Sequence, residues 1–347
     1  MQHIKFPSIE QFRNVVKNVK HQSQYVGKND SGDPIYNNAA ISPKLKFEGT
    51  VKLHGTNAAI VAKYTGDSAE VWCQSRENII TPEKDNAGYA LFAYKNATQL
   101  GHILARAAIH TGYVNPKIAI FGEWCGKGIQ KGVSISELPK MFVVFGIALV
   151  HETGHKEWFT KDEVIKVFDE VNLQLNNVGI FHIWQFPTFE VEIDFEHPEL
   201  MQNELGKLTE QVEAECPVGK YFGAIGTGEG IVWKCISPAY EDSGYWFKVK
   251  GEKHSASKVK TLAAVDIEKV NSIKECVETV CTENRMEQMY QKLSDPDMKD
   301  MSTFLRALTV DIFKEELDTI VASGLEPKDV CKEISNVGRR WFITKLG

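Results

Sequence analysis

The chain has 347 residues, enough for two domains of ordinary size. Hydrophobic residues make up 43% and charged residues 25%, the composition of a globular protein, and no apolar run is long enough to span a membrane. The net charge of −6 excludes a uniformly basic nucleic-acid binder, so any nucleic-acid partner must be held by a local basic patch.

Residues Met1 to Pro7 lack the apolar core of a signal peptide. The seven cysteines form no C-x-x-C pair and are odd in number, which predicts reduced thiols in the cytoplasm and argues against disulfides or a structural zinc. Ser8 is placed to cap a helix over residues 8–20, and the polar, glycine-bearing stretch from Gly27 to Pro34 reads as loop. Residues 44–64 read as strand, turn, strand; Thr65-Gly66-Asp67 reads as a hairpin turn, and Glu70 to Arg76 as the returning strand. A helix is predicted over residues 88–110, with Leu91, Ala93, Leu100, Leu104 and Ile109 as its apolar positions. Lys117 to Trp124 and Met141 to Val150 are apolar strands, and Thr160 caps a helix running to about Val171. Residues 181–194 read as strand, 198–215 as helix, and 228–234 and 245–250 as two further short strands.

Beyond about Ala263 helical periodicity takes over. Val265, Ile267, Val270, Ile273 and Val277 define one face; Phe304, Leu305, Leu308, Phe313, Leu317 and Ile320 a second; Val330, Ile334, Val337 and Phe342 a third. The prediction is an α+β chain: a first domain of antiparallel sheets with flanking helices over residues 1–261, and an all-helical second domain over residues 262–347.

Within the first domain, charged residues interrupt apolar strands. Lys52 lies between Val51 and Leu53, just before the tight pair His54-Gly55. A lysine held there is either a solvated strand residue before a turn or a nucleophile, whose ammonium must lose a proton to attack. Other cations nearby favour the neutral amine. Arg76, Glu123, Glu229, Lys248 and Lys250 follow, most of them in or at the ends of predicted strands. Lys248 and Lys250 alternate and so share a face. One lysine with two carboxylates and two further lysines suits nucleotidyl transfer, in which carboxylates hold Mg²⁺ and cations neutralise triphosphate oxygens.

Five ordered stretches carry a resemblance: Lys52-Leu53-His54-Gly55-Thr56-Asn57, Phe121-Gly122-Glu123-Trp124, Phe142-Val143-Val144-Phe145, Glu229-Gly230-Ile231-Val232-Trp233-Lys234 and Trp246-Phe247-Lys248-Val249-Lys250. They resemble the motifs of the covalent nucleotidyltransferases, the polynucleotide ligases and mRNA capping enzymes. His54, two residues after the lysine, and the run from Phe121 to Lys131 are most similar to the phage RNA ligase 2 family and the RNA-editing ligases. The resemblance spans roughly residues 40 to 260.

It implies an ATP-dependent RNA ligase that joins 3′-hydroxyl and 5′-phosphate RNA ends, preferably in nicked duplex, with Mg²⁺ or Mn²⁺. Lys52 would form a lysyl-adenylate with Lys248 and Lys250 on the α-phosphate. Glu123 would bind the ribose or metal waters and Glu229 would support the metal. Phe145 would stack on adenine, Arg76 would act on the AMP ribose or an RNA phosphate, His54 would meet pyrophosphate, and Asn57 would assist later steps. The enzyme would work as a monomer in the cytoplasm, or the host cytoplasm if viral. Two positions depart from the phage pattern: Val51 stands where glutamate is usual, and Gly146 where aspartate is.

Competing readings are a DNA ligase or capping guanylyltransferase, disfavoured by His54, and a non-catalytic RNA-binding module with a degenerate site. A third is a zinc protease, because His151-Glu152-Thr153-Gly154-His155 fits H-E-x-x-H. That segment follows a strand directly and contains Thr-Gly, so it reads as a hairpin turn whose histidines do not converge. Gly226-Thr227-Gly228-Glu229-Gly230 precedes a strand, so it lacks the helix N-terminus of a dinucleotide loop. Lys253, Lys258 and Lys260 extend a basic run after Lys250, either an RNA-tracking segment or a basic linker. The acidic helical tail, with basic residues at Arg339, Arg340 and Lys345, either clamps duplex RNA or is a packing domain.

Overall fold

The computed structural model describes residues 1–171, 174–254, 273–294, 296–322 and 325–346. In chain order, helix α1 (Phe12–Gln24) is followed by strands β1 (Tyr25–Lys28), β2 (Pro34–Tyr36), β3 (Lys44–Val51), β4 (Thr56–Thr65), β5 (Ser68–Ser75) and β6 (Ile79–Ile80). Helices α2 (Tyr89–Lys95) and α3 (Ala97–Thr111) lead to β7 (Lys117–Cys125), β8 (Met141–Val150) and β9 (Lys156–Trp158). Next come α4 (Lys161–Asp169), β10 (Ile180–His182), β11 (Thr188–Asp194), α5 (Gln202–Ala214), α6 (Pro217–Tyr221), β12 (Gly230–Cys235) and β13 (Trp246–Lys250). The last described elements are all helical: α7 (Ile273–Val280), α8 (Glu283–Tyr290), α9 (Met301–Ala322) and α10 (Pro327–Leu346). The architecture is α+β, with antiparallel sheets and flanking helices preceding an all-helical region.

Two compact units can be drawn: Met1–Glu10, Lys44–Ile193 and Lys207–Lys248 form one, and Gln11–Pro43, Asp194–Gly206 and Val249–Gly347 the other. The boundary expected at 261/262 lies outside the described residues, as do Val265, Ile267, Val270, Lys258 and Lys260.

In the first unit, one sheet has the order β10-β8-β7-β4-β5-β6, with β9 on β8. Its pairs are antiparallel except β10 with β8. The other sheet runs β11-β3-β12-β13. Side chains of a strand alternate between faces, and β7 shows what each face meets. Ile118, Ile120 and Trp124 enter a core with Tyr89, Leu100, Leu104 and Val164 of α2, α3 and α4. Ala119 and Phe121 enter a second core with Ile4, Phe6, Trp72 and Trp246. Glu123 continues that second face.

Strand β8 changes parity midway. Phe121 pairs with Gly146 but Gly122 with Val144, so Phe145 is an extra residue in a β-bulge. As a result Phe142 and Val144 before the bulge, and Ile147 and Leu149 after it, all reach the helix-covered core.

Several expectations are corrected. Helix α1 starts at Phe12 with Gln11 as a cap lacking a side-chain hydrogen bond, not at Ser8. The preceding residues are held extended instead: the Ile4 amide donates to Gln74 Oε1 (2.9 Å), and the Glu10 amide to the Trp246 carbonyl (3.0 Å). These tertiary bonds override the local capping signal. The stretch read as loop contributes to the β1–β2 hairpin. The helix expected over 88–110 is two helices that meet at Asn96, whose side chain bonds back to the Phe92 carbonyl (2.9 Å). Leu91 and Ile109 are exposed. In the helical region Phe304, Leu308, Ile320, Val330, Ile334 and Phe342 share one core. Leu317 is exposed, and the buried neighbour in its place is Glu316.

Candidate active site

Strand β3 ends at Val51, paired with Ile231 of β12, and the ladder carries on for one residue: the Lys52 amide donates to the Gly230 carbonyl (2.8 Å). This fixes the Lys52 backbone against β12 beside Glu229. Lys52 Nζ donates to Glu229 Oε2 at 2.7 Å, and His54 Nδ1 lies 3.2 Å from the same oxygen. The Glu229 side chain is 3% exposed and that of Lys52 23%, so the carboxylate is enclosed while the amine retains an opening.

The next residue explains why glycine follows the histidine. The Gly55 amide donates to Glu123 Oε1 (3.0 Å), and a Cβ here would run into the Trp124 carbonyl and stand 2.8 Å from Cys125 Cβ. Only a residue without a side chain lets the β3–β4 turn lie so close to the end of β7.

Glu123 occupies that end, opposite Asn57 of β4 and Val143 of β8. Burial raises its carboxyl to about 7; the charge of Lys52 opposes the rise, that of Glu229 adds to it, and the Gly55 amide and Arg76 oppose it further. The two carboxylates therefore feel each other and share the Lys52 cation. Two acidic groups in one enclosed site, each already interacting with a cation, fit a divalent ion that completes its shell with water or phosphate oxygens. Among the described residues no cluster of three or more His, Cys, Asp or Glu could hold a metal by itself.

Phe145, in the bulge, is half-buried, with its ring centroid 5.0 Å from that of Phe6. Its carbonyl accepts from Lys234 Nζ at 2.8 Å. The Lys234 amine lies 4.4 Å from the Trp246 ring centroid, and burial lowers it to about 8 against the opposing charge of Glu48. Glu48, opposite Lys234 across β3 and β12, accepts from Lys161 Nζ and Trp184 Nε1, both at 2.6 Å. Lys234 closes one of the five stretches but was given no role there, and Glu48 was not considered; the signal available was a charged residue in each of two apolar strands, whose register only the fold supplies.

Arg76 lies just after β5, its Nε 4.0 Å from Glu77, with its charge reaching Glu123. Lys248 and Lys250 alternate along β13 with Trp246, and both are half-buried. The structure thus brings Lys52, His54 and Glu229 into direct contact, with Glu123 and Arg76 in their field and Asn57 in register with Glu123. Phe145 is linked through its carbonyl to Lys234.

The H-E-x-x-H segment is a turn between β8 and β9, closed by the His151 amide on the His155 carbonyl (2.9 Å). Contrary to expectation its histidine rings do come together, stacked with centroids 5.7 Å apart. His151 Nε2 faces Glu157 (3.3 Å). All seven cysteines are free thiols. No helix among the described residues is long and apolar enough to cross a membrane.

Known proteins can now be set beside this geometry. No curated protein matches the chain. Among solved structures, Naegleria gruberi RNA ligase with PPi is 17% identical at a TM-score of 0.42, covering 71% of this chain and 57% of that one. A mutant of that ligase with ATP and Mn is 17% identical at 0.43, covering 72% and 57%. Another with AMP and Mn is 17% identical at 0.43, covering 72% and 56%. This chain therefore spans less than two thirds of the length of those ligases. The model of the RNA ligase family matches residues 45–250, from β3 to the last residue of β13 and more than half of the sequence. The chain belongs to the RNA ligase family, within the covalent nucleotidyltransferases.

Proposed function

We propose that the protein is an ATP-dependent RNA ligase of the phage RNA ligase 2 type, sealing 3′-hydroxyl and 5′-phosphate ends in nicked duplex RNA. The observation that carries this reading is the amine of Lys52, held at 2.7 Å on an enclosed carboxylate at the end of β3, inside the segment that matches the family. In the first step the Lys52 nitrogen bonds to the α-phosphorus of ATP, the bond from that phosphorus to the bridging oxygen breaks, and pyrophosphate leaves. Glu229 is positioned to take the proton released by the amine. The AMP then passes to the 5′-phosphate of RNA, and the 3′-hydroxyl displaces it. Splitting the reaction in this way replaces one difficult displacement by easier ones.

In this reading Lys248 and Lys250 neutralise the α-phosphate, His54 meets the pyrophosphate, and Phe145 stacks on adenine. Arg76 binds the ribose or an RNA phosphate, and Asn57 assists the later steps. Glu123 and Glu229 would hold Mg²⁺ or Mn²⁺, which supplies charge neutralisation at phosphate oxygens. Residues 1–261 would carry adenylyl transfer and residues 262–347 would engage duplex RNA.

Incubation with α-labelled ATP or GTP and Mg²⁺, followed by a denaturing gel, tests the proposal. Label from ATP that disappears in Lys52→Ala is expected, together with sealing of a nicked RNA duplex. Label from GTP alone would place the protein with the capping enzymes, and no label from either would leave a non-catalytic RNA-binding module.

A further inference from the structure

Three lysines converge on a cleft far from Lys52. It has a volume of about 170 Å³ and is lined by residues that include His3, Lys5, Lys117, His151 and Lys156. Glu152 is its acidic lining residue. The walls come from the extended N-terminal segment, the start of β7 and the β8–β9 turn, all within the first unit.

The charge balance of the cleft is unusual for this acidic chain. Among the described residues none of the three lysine amines has a carboxylate within ion-pair distance, whereas His151 has Glu157 at 3.3 Å. Lys156 is half-buried, and burial alone lowers the affinity of its amine for the proton. Lys117 pairs directly across the ladder with Lys63, which in turn faces Glu70 on β5. Like charges directly opposite each other on a sheet are destabilising; Glu70 offsets Lys63 from its other side, and an anion in the cleft would do the same for Lys117.

The cleft and the candidate active site stand at opposite ends of one face of β7, with the buried core of Ala119, Phe121, Phe6 and Trp246 between them. Lys117, Ala119, Phe121 and Glu123 alternate onto one face of β7. Six residues at about 3.3 Å each put the two ends about 20 Å apart, a span of several nucleotides.

We propose that this cleft is a second anion site that holds a backbone phosphate of the RNA substrate, away from the reacting ends. The inference rests on the ligase reading above. Phosphate contacts made by lysine fix register and are independent of sequence. The cleft then acts as a positioning site, and its loss weakens RNA binding without touching transfer of AMP to Lys52.

The test uses the full chain with Lys5, Lys117 and Lys156 all replaced by alanine, and a matching variant with all three replaced by arginine. Affinity for nicked duplex RNA is measured across a salt series, alongside labelling of Lys52 by ATP. The alanine variant should label normally, bind RNA about tenfold more weakly, and show a salt slope shallower by about one or more. The arginine variant should retain affinity and slope, which separates lost charge from a damaged fold. Normal labelling with unchanged RNA affinity and slope in the alanine variant would overturn the inference. So would an arginine variant that loses affinity as the alanine variant does. Inorganic phosphate that stabilises the wild type but not the alanine variant, with an unchanged RNA slope, would reassign the cleft to a free anion and equally overturn the RNA role. Failure of wild-type labelling would count against the ligase reading and not against the cleft.

Discussion

Glu123 sits in conflict with its surroundings. Its carboxyl is raised to about 7 by burial and by the nearby Glu229, more than the Lys52 and Arg76 charges and the Gly55 amide can offset. A carboxyl raised in this way binds its proton more tightly when folded. It therefore contributes stability that is fully present below the unfolded value of about 4.5 and is lost as pH rises through about 7. Thermal melts of nucleotide-free protein between pH 5 and 8 should show this loss, an effect on the order of 2–3 kcal/mol at most. Glu123→Gln should flatten the profile, and an equal slope in both proteins would refute the assignment. Lys234 acts through a neighbour: its amine holds the Phe145 carbonyl that the bulge leaves free (2.8 Å). Charged hydrogen bonds of this kind contribute about 1.5–3 kcal/mol. Lys234→Met should therefore raise the KM for ATP at least about tenfold, by releasing the Phe145 backbone, with a smaller change in kcat. A lowered kcat at unchanged KM would sink this role. Lys52, Glu123 and Glu229, proposed from the sequence because charge in or at the ends of apolar strands is conspicuous, come together beside the end of β3, at the end of β7 and before β12. The role of Lys234 was not legible in the sequence, because it depends on a carbonyl freed by a bulge, and a bulge leaves no local pattern in ten apolar residues.

Between residue and molecule, the elements that build the site were the most readable part of the chain. The β4–β5 hairpin turns at Gly66-Asp67, with Thr65 opposite Ser68, as the turn residues indicated. The capping box of α4 forms as written, with Thr160 and Glu163 exchanging hydrogen bonds. Signals of this sort are local, so they survive without knowledge of the fold. The helix start expected at Ser8 failed because Gln74, sixty-six residues later in the sequence, supplies hydrogen bonds that keep the N-terminal segment extended. Likewise the apolar positions Leu91 and Ile109 were assigned to a single helix face, whereas the break at Asn96 reorients the two halves. Where β3 and β4 join, one backbone requirement is absolute: the turn must approach β7 closely enough for the Gly55 amide to reach Glu123. Gly55→Ala places a methyl group on the Trp124 carbonyl, and backbone cannot give way as a flexible side chain would. The turn should shift by enough to cost about 1–3 kcal/mol of stability and to reduce adenylylation of Lys52 by about two orders of magnitude. Urea melts and single-turnover labelling check both, and near-normal labelling would show that the contact between turn and strand is dispensable.

On the scale of the whole molecule, periodicity identified the helical region but not what ties it to the rest of its unit. Helix α1 belongs with the C-terminal helices, although nearly 250 residues separate them in sequence. The link is ionic and buried. Arg13 Nη2 lies 3.0 Å from Glu316 Oε2, and its Nε is 3.1 Å from Asp318. Arg285, fully buried, places Nη2 3.0 Å from Glu315 and 3.4 Å from the other oxygen of Glu316. Sequence periodicity could not reveal this, because it scores Glu316 as a surface position and Leu317 as core, the reverse of what the helices do. By contrast, two of the basic residues considered for RNA binding are turned toward carboxylates within the same region: Lys345 to Glu287 at 2.7 Å and Arg340 to Glu333 at 3.9 Å. A buried ion pair need not be more stable than an apolar substitute, because two charges have been taken from water; removing a single partner is different, since it strands the other charge. Glu316→Ala leaves two guanidiniums facing a cavity and should cost about 3–5 kcal/mol, a large share of the 5–15 kcal/mol that typically holds a domain together. Replacing Arg13, Glu316 and Arg285 together by methionine should cost less than the single change, because the fully buried charges are removed together and the carboxylates that lose an arginine, Asp318, Glu315 and Asp311, are partly exposed to water. Urea denaturation of the two variants decides between these accounts: a triple variant at least as destabilised as Glu316→Ala would mean that the network stabilises the helices in its own right and does more than specify how α1 docks on them.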